Sequence, residues 1–373
     1  MWHAQIVPHV DLLGPTAVGQ AIPPLPVAAT PRDRRQATTT RPAIPPPKTD
    51  QLSGLPTRDV SSIFWSFHCD LIAAEVVRGL EAEAVSSILL KGPSISRWLY
   101  NGVVERPYSD VDLLIAPDSL SEANEILESL GFDAPPADLT VNQPRAGREW
   151  ERRSDGGVVD LHPWLEGIGL GPTEAWHEFH ISSVEIEVAG VQMRTLNEAA
   201  RVLHLGLHAA QSGPAERQPL RDLARAIEIV PDERWREAVV LARRLNALPM
   251  FTAGLVLDPN GQELLTRMGI EPVMNVRAAL MSSSTDRRLV SAALGWEWLS
   301  SRKGIVQKTG YVLRKLFPPV SWMKARSDLA RKGWVGLCGS YLIRWRTLVT
   351  EAVPGYRIWR STRHATSRPK RGF

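Results

Sequence analysis

Two aspartates stand at alternate positions of an apolar stretch, and this arrangement constrains the fold more than any other feature of the sequence. The stretch reads SDVDLLI from Ser109 to Ile115. Because side chains alternate between the faces of a β-strand, Asp110 and Asp112 project together while the apolar residues between them enter a core. Two carboxylates this close repel each other unless a cation lies between them, and Mg²⁺ or Mn²⁺ is the natural partner. The stretch therefore predicts a buried strand whose polar edge binds a divalent cation, with a solvated strand end as the alternative for the two aspartates.

A third carboxylate follows near the end of another apolar stretch, GVVDLH, where Asp160 and His162 share one face of the predicted strand. An adjacent strand would bring Asp160 beside the first two aspartates. Three carboxylates can hold metal and leave one oxygen to accept a proton from a hydroxyl, which suits in-line displacement at phosphorus. Asp160 is thus predicted as a metal ligand and base, with a simple turn residue as the alternative. His162 either orients Asp160 or bonds to backbone.

Upstream of the acidic pair, a short apolar run ends at a glycine turn. Ile88–Leu90 precedes Lys91 and Gly92, and a helix is predicted to begin near Ser94. Backbone N–H groups and the positive helix end would face an anion at this turn. Lys91, and Arg106 before the acidic pair, would add positive charge for a triphosphate. These four residues from Lys91 to Arg106 are predicted to bind nucleotide, although lone basic side chains are as often ion-paired or solvated.

Strands and helices alternate around these residues. Apolar spacing predicts a helix over 61–83, and a capping box of Ser119 with Glu122 predicts another that ends before Gly131. Turn signals at 154–156 and 189–190 predict two β-hairpins. A second capping box, Thr195 with Glu198, opens a run of helices to about residue 300. The predicted class is α+β (α/β), with a small mixed sheet and an α-helical C-terminal domain.

Composition divides the chain into four predicted parts. Residues 1–58 are rich in Pro, Thr and Ala and are predicted to be a disordered lead-in, because they bury too little apolar surface. A core at 59–195, a helical domain at 196–350 and a basic, disordered tail at 351–373 follow. Residues 302–373 contain 17 Lys and Arg against 2 Asp and Glu, although the whole chain carries a net charge of only +4. This imbalance predicts an anionic partner for the C-terminal region alone.

Four tryptophans stand among the basic side chains of that region. They and the arginines would suit nucleic acid or an anionic membrane surface. The alternative is an ordinary helical extension in which the tryptophans pack against the core and the arginine stems cover it. The four tryptophans are Trp322, Trp334, Trp345 and Trp359.

The cysteines and the hydropathy of the sequence limit the cellular compartments in which the protein is expected. The two cysteines form neither a CxxC pair nor a disulfide framework, so a cytoplasmic protein is expected. The apolar runs are predicted to be shorter than the roughly 18 residues of a transmembrane segment. The WHEFH sequence at 176–180 lacks the HExxH spacing of a zinc protease. His204 and His208 lie four residues apart, a spacing that suits either helix packing or a metal site.

The whole pattern resembles a known family. The stretches ILLKGPSISRWLYNGVVERPYSDVDLLIAPDSLSEANEILESLGF, REWERR…VVDLHPWL and LNEAARVLHLGLHAAQ are similar to the uncharacterised nucleotidyltransferase family of the polymerase-beta-like superfamily, over about residues 60–320 and most strongly over 85–165. The resemblance implies a mixed sheet with a helical extension and two-metal transfer of a nucleotidyl group from an NTP, expected to be ATP, to an unknown hydroxyl acceptor with release of pyrophosphate.

The same resemblance implies roles for single residues. Asp110 and Asp112 would be metal ligands, Asp160 the third carboxylate and base, and Gly92 with Ser94 the nucleotide-binding turn. One position departs from the pattern, because Pro93 stands where the superfamily turn usually continues with Ser or Gly, and proline lacks a backbone donor. Two other functions stay open: a metal-dependent glycosyltransferase, which also uses an Asp-x-Asp pair, and a non-enzymatic nucleotide-binding or regulatory module.

Overall fold

A computed structural model of the chain describes residues 57–134, 148–283 and 286–367. The described residues belong to one compact unit. The predicted lead-in at 1–58 lies outside them, apart from its last two positions.

Six strands form one mixed sheet in the order β3-β4-β2-β1-β6-β5. The pairs β2–β4 and β1–β6 are parallel, and the other neighbours are antiparallel. The predicted mixed sheet and both predicted hairpins, β3–β4 and β5–β6, are confirmed. The strands are β1 (Ser87–Leu89), β2 (Val111–Ile115), β3 (Arg148–Arg152), β4 (Gly157–His162), β5 (Ser183–Val188) and β6 (Val191–Leu196).

Helices surround this sheet and make up the C-terminal part of the described chain. A short 3₁₀ turn at Pro117–Ser119 precedes α3. The helices are α1 (Thr57–Ala82), α2 (Pro93–Leu99), α3 (Leu120–Ser129), α4 (Pro172–Ile181), α5 (Glu198–Ser212), α6 (Arg217–Ile229), α7 (Asp232–Arg244), α8 (Leu248–Leu255), α9 (Pro259–Arg267), α10 (Val276–Ser283), α11 (Arg287–Ser301), α12 (Ile305–Leu316), α13 (Val320–Arg326), α14 (Asp328–Arg331) and α15 (Gly333–Ser367).

The two faces of the sheet pack into different hydrophobic clusters. Val111 and Leu113 of β2 join α1 and α3 on one face. Leu114 packs on the other face with residues of α5 to α11. Since side chains alternate along a strand, Asp112 lies on the same face as Leu114, toward the helical part of the chain. The predicted alternation of β2 is therefore confirmed.

One segment of α1, Val60–Ala82, is long and apolar enough to span a bilayer by length and composition, contrary to expectation. Ile72, Val76 and Leu80 of this helix are fully buried against the sheet. A core helix passes the same test, so the segment is weak evidence for a membrane span.

Both predicted capping boxes are wrong, although helices begin close to the predicted places. Ser119 precedes α3 in near-helical geometry and makes no capping hydrogen bond, because an N-cap side chain needs an extended backbone to reach the first turn. At α5 the cap is Asn197, whose Oδ1 accepts from the Ala200 N–H at 2.9 Å. Thr195 still belongs to β6, which ends at Leu196.

The predicted disorder beyond residue 350 is also wrong as far as Ser367, where α15 ends. Tertiary contacts with α11 hold this part of the helix. Trp359 donates its indole N–H to Glu297 at 2.7 Å, and Trp296 donates to the Ala352 carbonyl at 2.9 Å. Local composition could not reveal these contacts, because their partners lie about 60 residues away.

The crossing of α5 and α8 sets the position of α5, and it depends on two glycines. A Cβ on Gly254 would overlap the carbonyl of Gly206 on the facing helix. We expect Gly254→Ala to lower the free energy of unfolding by about 2 kcal/mol, since neither backbone can retreat in a packed core. Urea denaturation measures this change. The control is Gly310→Ala in α12, where a Cβ meets nothing within 4 Å and helix propensity favours alanine. If the two substitutions change the free energy of unfolding equally, the close contact between α5 and α8 at Gly206 and Gly254 would be contradicted.

Candidate active site

Two carboxylates lie side by side at the centre of the sheet. In the parallel pairing of β2 with β4, Asp112 is directly opposite Asp160. Ligand atoms of Asp112, Asp160 and His162 all lie within 4.8 Å of one another. Within the described residues, this is the one group of three or more His, Cys, Asp or Glu side chains that lie close enough together to hold a metal ion. The structure therefore brings together two of the three predicted metal ligands and adds a histidine.

Asp112 is the most enclosed member of this group, with 2% of its surface exposed. Lys91 Nζ lies 2.9 Å and His162 Nε2 3.0 Å from the same oxygen, Oδ1. Burial alone would raise the pKa of Asp112, but Lys91 and His162 outweigh it and hold that pKa well below its ordinary value. Asp112 is thus ionised across the physiological range. His162 binds Asp112, whereas one sequence hypothesis had it orienting Asp160.

The two outer carboxylates have the opposite tendency. Burial raises the pKa of Asp110, and the negative charge of Asp112 raises it further. Burial also raises the pKa of Asp160, against the opposing effect of His162. Asp110 immediately precedes β2 and lines the same cleft, although it lies outside the close group of three. A group of carboxylates that destabilises its own negative charge is a suitable environment for a cation.

The donor chemistry of the group fits a divalent metal ion. Carboxylate oxygens suit Mg²⁺ and Mn²⁺, and an imidazole nitrogen favours Mn²⁺ over Mg²⁺. Among the described residues, nothing donates a hydrogen bond to Oδ2 of Asp112, because both of its partners contact Oδ1. That oxygen has bonding capacity left for a cation.

The glycine turn borders the same site. Gly92 has a positive φ of 59°, and a Cβ there would come within 3.3 Å of the Tyr108 ring. Pro93 occupies the first turn of α2, where a missing N–H leaves no helical hydrogen bond unmade. Lys91 and Gly92 line the cleft. Ser94, in contrast, is buried with its hydroxyl 2.7 Å from Thr195 Oγ1, and it is not among the lining residues.

Arg106 lies in a buried ion pair. Its guanidinium donates to both carboxylate oxygens of Asp222 on α6, at 2.7 to 3.0 Å. Asp222 also accepts from Tyr100 Oη at 2.9 Å and from Gln218 Nε2 at 2.8 Å. The network ties the loop before β2 to the helical wall of the cleft. Sequence reasoning missed Asp222, because a lone aspartate on an amphipathic helix carries no signal of a partner 116 residues away.

The cleft between the sheet and the helices has a volume of about 850 Å³, which is enough for a nucleotide or a second small molecule. His204 and His208 of α5 line it, with ring centroids 6.1 Å apart. Burial lowers the pKa of His204 to about 3 and that of His208 well below its ordinary value, so both are neutral. Neither histidine belongs to the group formed by Asp112, Asp160 and His162.

A comparison with protein families identifies the chain. The model of a family described as uncharacterised nucleotidyltransferase matches residues 68–258, just over half of the chain. The chain belongs to this nucleotidyltransferase family. The matched residues of this chain include the sheet, the three aspartates and α5 with its two histidines.

Solved structures similar to this nucleotidyltransferase are distant. The antibiotic-resistance factor ANT(2'')-Ia is 17% identical, with a TM-score of 0.34, over 51% of this chain and 96% of its own. The lincosamide antibiotic adenylyltransferase LnuA is 15% identical, with a TM-score of 0.30, over 43% and 96%. An antigenic nucleotidyltransferase-like protein from Paracoccidioides brasiliensis is 15% identical, with a TM-score of 0.28, over 50% and 91%. The search of curated proteins gave no match.

Proposed function

We propose that this protein is a metal-dependent enzyme that transfers a nucleoside monophosphate from an NTP to a hydroxyl acceptor and releases pyrophosphate. The observation that carries the proposal is the lateral pairing of Asp112 with Asp160 on parallel strands, with Asp110 on the same cleft. Family membership supports the same class of reaction. ATP is the expected nucleotide, and a cytoplasmic location stays a prediction.

The three aspartates would hold Mg²⁺ or Mn²⁺, with His162 as a further donor to Mn²⁺. When bound, such ions neutralise the triphosphate and stabilise the leaving pyrophosphate. Asp160 is the proposed base, because its raised pKa suits proton transfer. It takes the hydroxyl proton as the acceptor oxygen bonds to the α-phosphorus and the bond from that phosphorus to the bridging oxygen breaks.

The cleft residues near the turn complete the proposed nucleotide site. Lys91 is already beside Asp112, where its ammonium group can face phosphate oxygens. Gly92 keeps the turn open, since any side chain there would press on Tyr108. Arg106 contributes positive charge to the lining while it stays paired with Asp222. Ser94 supports the turn through Thr195, and its proposed contact with nucleotide would be through the backbone.

Calorimetry of ATP and GTP binding, with and without Mg²⁺, tests the site. We expect metal-dependent binding to the wild type and none to the folded Asp110→Ala/Asp112→Ala variant, because the cation would lose two ligands. The exposed Asp118 follows the same strand, so Asp118→Ala is the matched control and should bind like the wild type. Nucleotide binding that needs neither metal nor the aspartates would overturn the proposal in favour of a non-enzymatic module.

Product analysis separates the two transferase classes once turnover is found. Release of pyrophosphate from NTP supports nucleotidyl transfer. Release of a nucleoside diphosphate from a nucleotide sugar would instead identify a glycosyltransferase that uses the same acidic pair.

A further inference from the structure

The C-terminal helices combine exposed apolar side chains with strong positive charge. Residues 302–373 contain 17 Lys and Arg against 2 Asp and Glu. Many of the large apolar side chains that are exposed to solvent in the described residues lie in the same region. Exposed apolar patches often mark interaction sites, and the positive charge around this one favours an anionic partner.

The apolar part forms a stripe along α15. Val335, Leu342, Val349 and Val353 are 57 to 70% exposed. They are separated by seven, seven and four residues, so they lie on one face of the helix over about 27 Å. We call the four apolar residues the α15 stripe. The exposed Arg360 lies on the same face of the helix, seven residues after Val353.

The neighbouring helix α12 repeats this character. Ile305 and Val306 are about 80% exposed, and Leu313 is half-exposed. Exposed Lys308 lies between them on the same helix. The C-terminal end of α12 is attached to α15, because Trp345 donates its indole N–H to the Leu316 carbonyl at 2.7 Å. Two adjacent helices therefore present apolar side chains between basic ones.

We propose that α12 and α15 bind the surface of an anionic lipid bilayer. The α15 stripe would insert at the level of the headgroups, while the flanking arginines and lysines would contact lipid phosphates. The α15 stripe favours lipid over nucleic acid, because its four side chains are aliphatic and cannot stack on bases. Charge favours lipid over a second copy of the chain, because a dimer through this face would bring two strongly positive surfaces together.

Flotation of the full chain with vesicles tests the proposal. Vesicles of phosphatidylcholine with 30% phosphatidylglycerol would be compared with pure phosphatidylcholine, at low and high salt. We expect binding only to the anionic vesicles, weakened by salt. Val349→Glu should reduce the partition coefficient by about tenfold or more, since a charge replaces an inserted apolar side chain. Val240→Glu is the matched control, because Val240 is also an exposed valine on a helix, α7, outside this region.

Several outcomes would overturn the proposal. Circular dichroism first establishes that both variants retain their helices. Equal flotation with neutral vesicles, or no flotation at all, would exclude the proposed preference for an anionic bilayer. Unchanged flotation of Val349→Glu would exclude the α15 stripe as the insertion site. Salt-sensitive binding to a DNA duplex in preference to anionic vesicles would assign the basic face to nucleic acid. A dimer in analytical ultracentrifugation that Val349→Glu dissociates would assign the stripe to a second copy.

Discussion

Asp112→Asn will weaken Mn²⁺ binding by at least about 100-fold, since the loss of even an outer-shell partner of a metal site costs 10 to 100-fold. Asp112 is the ionised, buried member of the group, and its Oδ2 has no competing hydrogen bond among the described residues. The amide keeps the shape of the side chain and can still accept from Lys91, so the fold should survive. Electron paramagnetic resonance of free and bound Mn²⁺ measures the change without any knowledge of the acceptor.

The matched control for this variant is Asp118→Asn, on an exposed aspartate after β2. It should bind Mn²⁺ like the wild type. If Asp112→Asn also binds Mn²⁺ normally, the cation does not depend on Asp112, and the proposed transferase site would be untenable in its present form.

Asp222→Ala will lower the free energy of unfolding by about 3–5 kcal/mol, because it leaves the Arg106 guanidinium buried without a counter-ion. Arg106 is 6% exposed and Asp222 is 1% exposed, so water cannot replace the lost partner without opening the packed joint. Tyr100 and Gln218 lose an acceptor in the same substitution. Urea denaturation with the wild type and variant in the same buffer measures the difference.

Two further variants show whether burial is the cause. The Arg106→Met/Asp222→Leu double variant removes both charges and should be more stable than Asp222→Ala. Glu228→Ala breaks an exposed pair with Arg225 on the same helix and should leave stability unchanged. A double variant less stable than Asp222→Ala would mean that the ion pair itself, rather than an orphaned charge, determines stability.

The parts of the site that sequence predicted are those that depend on local pattern. The alternation of acidic and apolar residues placed Asp112 and Asp160 on the same face of their strands, and the hairpin turn placed β4 correctly. The direct pairing of β2 with β4 did not follow from these patterns, because 41 residues, 116–156, separate the two strands. The sequence prediction for Asp160 depends on that pairing as a condition, and the family resemblance implies only that Asp160 is the third carboxylate.

The features that sequence did not predict depend on partners far along the chain. For Arg106 the sequence left nucleotide binding and ion pairing open, and it did not indicate that the partner would be Asp222 on α6. The helical character of residues 351–367 depends on contacts with Glu297 and other parts of α11. A residue pattern describes which faces are apolar, but it does not specify which buried polar groups meet.

The ion pair between Arg106 and Asp222 also has a consequence for ligand size. It connects the loop that leads into the acidic strand with α6, and both the loop and this helix contribute residues to the lining of the cleft. To move these walls apart at that point, a ligand would have to separate two buried charges, which costs more than most single contacts return. We therefore expect acceptors to be admitted by their fit to an existing width, so that a homologous series of alcohols should show a sharp upper limit of size.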